Sequence, residues 1–168
     1  MNTETKPKKE SKLDIDSNYD LRLVSTLSPA LRWVLTLPIA FIAMFAVQVG
    51  FGTLVKLINS NLPMGEIVNT IMLSTVMLAK YAIFVIAATS TAPLTRNKKF
   101  IAAIAAAFIG ALLCVGGTAI SLSLSVAIDK TMLISTFVAS ILGLLLGVWE
   151  VRRVTSKPLT EENKASQL

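Results

Sequence analysis

Residues 67–89 read IVNTIMLSTVMLAKYAIFVIAAT, an apolar run that holds one charge, Lys80, and no proline or glycine. At about 1.5 Å of rise per helical residue such a run covers the roughly 30 Å of a bilayer's hydrocarbon core. Three more runs of this kind, at 33–55, 100–122 and 131–149, carry no charge at all. Short polar stretches separate them, with turn-forming residues at Asn59-Ser60-Asn61-Leu62-Pro63 and at Pro93. Connections of that length join antiparallel neighbours. The expected fold class is therefore all-α: an integral membrane protein, an antiparallel bundle of four transmembrane helices.

The rest of the chain agrees with that reading. Of 168 residues, 54% are apolar and only 15% charged, and the mean hydropathy is +0.68. A soluble domain of this size is nearer a quarter charged. There is no histidine and a single cysteine, Cys114. The chain thus lacks the commonest general base, the commonest transition-metal ligand and any internal disulfide. No phosphate-binding glycine loop, calcium loop or metal-ligand cluster can be read, and no serine–histidine or aspartate pair lies within a span. The expectation is a non-enzymatic protein with no cofactor and no metal.

Lysine and arginine are distributed unevenly. Lys6, Lys8, Lys9, Lys12, Arg22 and Arg32 precede the first span; Arg96, Lys98 and Lys99 lie between the second and third; Arg152, Arg153, Lys157 and Lys164 follow the fourth. The other side holds only Lys56 and Lys130. The positive-inside rule then puts both termini in the cytoplasm. The net charge of +6 is explained by helix orientation and anionic headgroups, so no nucleic-acid partner is expected. Residues 1–28 read as a polar cytoplasmic tail ending in a short interfacial helix, where Leu21, Val24, Leu27 and Leu31 recur at helical spacing. Residues 29–151 form the transmembrane domain, and 152–168 a second cytoplasmic tail. The polar composition of 1–20 and 155–168 predicts no stable structure there. Ser28 and Pro29 suit the N-cap and first position of the first span, Pro38 predicts a kink, and Trp33 and Trp149 suit a membrane boundary.

Lys80 is the residue that departs most from an inert anchor. A lysine at the centre of a spanning helix costs about 2.5–3.5 kcal/mol on an insertion scale. It can snorkel to the headgroups about nine residues away, or it can face the interior. The second reading is preferred, because helical side chains lean towards the N-terminus and so away from the nearer surface. Asn69 falls close to the same helical line. Counting depth on the other spans puts Ser140 level with Lys80 as a hydrogen-bond partner, with Phe41, Phe45 or Phe108 as cation–π partners. Gln48, in the first span, can bond between helices or line a cavity. Lys80, Asn69, Ser140 and Gln48 are thus the candidate intramembrane polar site.

Small residues mark a packing seam. Ala103, Ala107, Gly110, Cys114, Gly117 and Ser121 recur at four- and three-residue spacing on the third span, and Thr136, Ser140, Gly143 and Gly147 do so on the fourth. Such faces let helix backbones approach closely in lipid. The third span packing on the fourth is the expected use, and a contact between copies is the alternative. Cys114 reads as a small apolar filler, and Asp129 as the N-cap of the fourth span.

Leu31-Arg32-Trp33 followed by Pro38, and Ala92-Pro93 ahead of Arg96, Lys98 and Lys99, resemble a group of small bacterial four-helix inner-membrane proteins over mainly the first three spans. The resemblance implies a bacterial inner membrane and no particular activity. The length and four spans are also similar to those of small multidrug transporters, but that family depends on a glutamate inside its first helix, and this first span has none. Three functions are left to weigh. The first is an accessory or assembly subunit that docks on a membrane partner, which supplies the counter-ion for Lys80. The second is a small homo-oligomeric channel or transporter built around Lys80. The third is a holin-like pore. The bilayer is the expected partner in every case, with a foreign membrane protein or further copies beside it.

Overall fold

The computed structural model describes residues 15–16, 18–62, 65–123 and 129–156. Every regular element among them is a helix: α1 (Arg22–Ser25), α2 (Pro29–Asn61), α3 (Glu66–Thr91), a 3-10 turn (Arg96–Lys98), α4 (Lys99–Ser123) and α5 (Lys130–Thr155). Helices α2 to α5 are each long and apolar enough to cross a membrane. Their limits enclose the four runs read from the sequence and extend beyond them, most at α2. Its 33 residues correspond to about 50 Å.

The helix ends follow from local chemistry. Pro29 occupies the first turn of α2, where its missing N–H costs nothing. The α5 N-cap is Asp129, whose carboxylate accepts from the backbone N–H groups of Thr131 and Met132 at 2.9 and 3.3 Å. Pro93 follows the end of α3 and disfavours helical geometry at Ala92, which is extended with ψ 129°.

Helix α3 is the centre of the molecule and packs against α2, α4 and α5. Its buried residues crowd towards its C-terminal half: Tyr81, Phe84, Val85, Ala88 and then Thr89 to Thr91. Helix α2 touches α3 along one narrow line, Arg32, Thr36, Ala40, Val47 and Val55, and exposes large apolar side chains such as Val34, Ile42 and Phe45 elsewhere.

The glycines of the fourth span meet a different neighbour from the one expected. A β-carbon on Gly143 would come within 2.3 Å of the Leu78 carbonyl oxygen, and one on Gly147 within 2.9 Å of the Ala82 carbonyl oxygen. Both residues therefore seat α5 on α3 and not on the third span. Gly110 does face α5, since its β-carbon would meet the Leu144 side chain. Further along α4, nothing stands within 4 Å of the β-carbon that Gly117 would carry. The small-residue stripe of α4 is thus buried at Ala103, Gly110 and Cys114 and open from Gly117 onwards. Helical spacing revealed the stripes, but the identity of the opposing helix depends on how the helices are arranged in space.

Residues 15–16 and 18–20 also differ from the expectation of a structureless tail, while 1–14, 17 and 157–168 lie outside the described residues. Tyr19, with φ 63°, is buried to 3% exposure and joins the apolar core. The Asp16 carboxylate accepts from the N–H groups of Asn18 and Asp20, and Ile15 pairs with Leu21 in an isolated bridge. The segment from Ile15 to Leu21, called the arm below, folds back over the end of the molecule where α3 finishes. The single turn α1 follows it with Val24 buried, while Leu31 of the expected apolar stripe is exposed.

Candidate functional site

Two polar regions stand out, one at each end of the α4 stripe. The first surrounds Lys80. Met77, Lys80 and Tyr81 of α3 form one wall of a cavity of about 270 Å³; Cys114, Gly117, Thr118 and Ser121 of α4 form the second, and Leu133, Thr136, Phe137 and Ser140 of α5 the third. On α4 and α5 these positions follow the spacing of a single helical face. The cavity exists because α4 carries only small side chains here and is not drawn onto α5 as it is at Gly110. Its lining includes five hydroxyls, one of them the Tyr81 phenol, and one ammonium, and no carboxylate among the described residues.

Lys80 is half-buried. Its Nζ lies 3.9 Å from the Met77 sulfur and 5.5 Å from the centre of the Tyr81 ring. Both are soft, weak acceptors for an ammonium. Ser140 lines the same cavity, but its hydroxyl donates to the Thr136 carbonyl at 2.7 Å. Thr136, Thr118 and Ser121 likewise donate to carbonyls one turn back on their own helices. With their protons used in this way, these oxygens face a ligand or water as acceptors. The aromatic partner of Lys80 is Tyr81 and none of the three phenylalanines expected. Phe41 packs edge-on against Phe84 at 5.7 Å, and Phe45 and Phe108 are exposed.

Of the four residues assigned to a polar site, the structure brings Lys80 and Ser140 together and leaves two apart. Asn69 accepts from Asn59 at 2.7 Å, a link between α2 and α3 about 16 Å along the helix from Lys80. Gln48 is half-buried on α2, and its Oε1 has no hydrogen-bond partner among the described residues.

The second region escaped sequence reasoning. Asp20, in the arm, accepts from Arg32 Nη2 at 2.6 Å and from Lys99 Nζ at 2.5 Å. Lys99 is fully buried, and Arg32 is nearly so. The same two cations also donate to the end of α3: Lys99 to the carbonyls of Ala92 and Thr89 at 2.6 and 3.0 Å, and Arg32 to those of Thr91 and Ala92 at 3.2 and 3.4 Å. The Leu21 N–H donates to the Ser90 carbonyl at 2.9 Å. The carbonyls that a helix C-terminus leaves without intrahelical donors are thereby all served, and two positive charges sit at the negative end of the helix dipole. Arg32 and Lys99, counted above as topology charges at the headgroups, are instead interior residues.

Asp20 experiences opposing effects. Burial pushes its carboxyl up, but hydrogen bonds from Arg32 and Lys99, together with their charges, outweigh this and leave it below the usual carboxylate value. Tyr19 next to it is pushed up to about 12, first by burial and then by the charge of Glu150. The only sequence signal for this cluster is that Arg32 and Lys99 sit at the edges of apolar runs, where charges are ordinary. Nothing local marks Asp20 as their partner.

The described residues contain no cluster of groups able to hold a metal ion. No family model, no curated protein and no solved structure matches this chain, so geometry alone carries the functional reading.

Proposed function

We propose that this chain is a non-enzymatic accessory or assembly subunit of a bacterial inner-membrane complex, and that it docks on a membrane partner through the open face of α4 and Lys80. The observation that carries the reading is an ammonium in a cavity that has no carboxylate among the described residues. An unpaired intramembrane charge is costly, and a partner acid entering beside Gly117 would offset that cost. The helices then form an antiparallel transmembrane bundle. Support for it comes from Asn59 meeting Asn69 at one end of α2 and α3 and Arg32 meeting Thr91 at the other. The arm end is cytoplasmic by the positive-inside rule, since Arg22, Arg96, Lys98, Arg152 and Arg153 gather there and only Lys56 and Lys130 lie opposite.

The test is native mass spectrometry of the protein and of Lys80→Met, each extracted from its host membrane into nanodiscs. The reading expects one foreign protein at fixed stoichiometry with the wild type, and its loss from a variant that inserts at wild-type levels. A wild type found only with copies of itself, or a partner that Lys80→Met retains, contradicts it.

The serine and threonine lining of the cavity favours a second reading, a small homo-oligomeric channel or transporter in which Lys80 lines the route. Solute flux in liposomes that Lys80→Met abolishes would support this reading, and unchanged flux would remove it.

A further inference from the structure

The Lys80 cavity also dictates the chemistry of what can fill it. Its charged end is Lys80, whose side chain leans towards the start of α3 and brings Nζ to 3.9 Å from the Met77 sulfur. From there the lining continues as a ladder of oxygens that climbs away from the arm. On α5 the steps are Ser140 and then Thr136, one turn nearer the start of that helix; on α4 they are Thr118 and Ser121, near its end. Each of these four hydroxyls donates to a carbonyl of its own helix, at 2.7 to 2.9 Å. A hydroxyl whose proton is held in this way presents lone pairs alone. Such oxygens repel a carboxylate and accept from N–H or O–H groups. The cavity therefore has a place for negative charge at Lys80, and a row of places for donors on the side away from the arm.

Gly117 is exposed, and nothing stands within 4 Å of the β-carbon it would carry, so a segment can approach the cavity from the side there. A segment arriving through lipid must satisfy its own backbone, which limits it to a helix. Thr136 stands four residues from Ser140, about 6 Å along the axis, and on an incoming helix that is the distance between residues i and i+4, which share a face. We infer that the docking segment is a transmembrane helix with a carboxylate at the level of the Lys80 ammonium and side-chain donors of the Asn, Gln, Ser or Thr kind one and two turns from it, on the same face and away from the arm. The inference rests on docking at Lys80 and adds the donors to it. An acid alone would leave the four oxygens facing apolar side chains.

The test is fluorescence energy transfer in liposomes between the full-length protein and designed single-span peptides of leucine and alanine. One peptide carries a central Glu, and a second adds Asn four residues from it. A third has the composition of the second with Asn two residues from the Glu, on the opposite face. The Glu peptide is expected to associate with the wild type and not with Lys80→Met. Asn on the Glu face should tighten that association about five-fold, and Asn on the opposite face should leave it unchanged. The gain should vanish in the double variant Thr118→Val, Thr136→Val, which removes two oxygens, with unchanged thermal unfolding as the check that it folds. The comparison of the second and third peptides needs no variant. Equal affinity for those two peptides, or a gain that the double variant keeps, would overturn the inference and leave docking at Lys80 standing. Association of the Glu peptide that Lys80→Met retains would overturn docking itself, and the inference with it.

Discussion

The arm end and the Lys80 cavity solve the same problem in opposite ways. Each places a lysine among apolar helices. At the arm end, Lys99 is fully buried yet has three oxygen partners, one of them the Asp20 carboxylate. In the cavity, Lys80 is only half-buried and has a thioether and an aromatic ring as neighbours. The first arrangement is closed and self-sufficient, and it ties the arm, α2, α3 and α4 together. The second offers its lysine no carboxylate among the described residues. Burial with partners supports the fold, while exposure to a cavity without partners leaves a group for something else to meet.

The contrast breaks most severely at Asp20. Replacing it with asparagine leaves Arg32 and Lys99 buried without their carboxylate, and uncompensated buried charge costs about 3–5 kcal/mol. Unfolding in mixed detergent micelles should show a loss of about 3 kcal/mol. A loss below about 1 kcal/mol would mean that the helix-end carbonyls suffice. The pH dependence has a definite sign. The Asp20 carboxyl is lowered from 3.8 in the folded protein, so its stabilisation is complete above pH 3.8 and is lost as pH falls through the depressed value. Acid unfolding of Asp20→Asn should lack that step. Tyr19 acts at the alkaline side: its folded value is raised from 10.0 to about 12, so stability falls as pH rises between those values. Tyr19→Phe should reduce that decline.

The next largest effect separates the two ends of the small-residue faces. Gly143→Ala forces a β-carbon onto the Leu78 carbonyl and should cost about 2 kcal/mol by overpacking. Gly117→Ala enters open space and should stay within about 0.5 kcal/mol of wild type. Equal effects in the same unfolding assay would mean that α4 closes onto α5 along its whole length. Lys80→Met should cost no more than about 1 kcal/mol and can raise stability above wild type. A larger loss would show that Lys80 has a structural partner inside the chain.

The starts of α2 and α5 and the end of α3 were readable because they depend on local rules, Pro29 at a first turn, the Asp129 cap and the proline after Ala92, whereas α2 and α5 each run six residues past the apolar runs read from the sequence. Counting levels along neighbouring helices was enough to bring Lys80 and Ser140 to one cavity, though not into the hydrogen bond expected, since the Ser140 hydroxyl donates to the Thr136 carbonyl. Two things were hidden. Gly143 and Gly147 announced a close contact, but spacing along one helix says nothing about which neighbour lies opposite. The Asp20 cluster joins residues at 20, 32 and 99, and its logic resides at the end of a fourth segment, α3, whose carbonyls are invisible in side-chain sequence. A tail rich in Lys, Asp and Ser resembles structureless chain by composition, and one buried tyrosine with one aspartate is enough to fold its last residues.

The central claim is that the cavity beside Lys80 receives a foreign membrane segment, and a photo-reactive side chain at Thr118, on the cavity wall, tests it most directly. Irradiation in host membranes should yield one cross-linked adduct with a distinct membrane protein, and the same substitution combined with Lys80→Met should yield none. Cross-links to lipid or to further copies of the chain alone, or an adduct unchanged by Lys80→Met, would contradict the account.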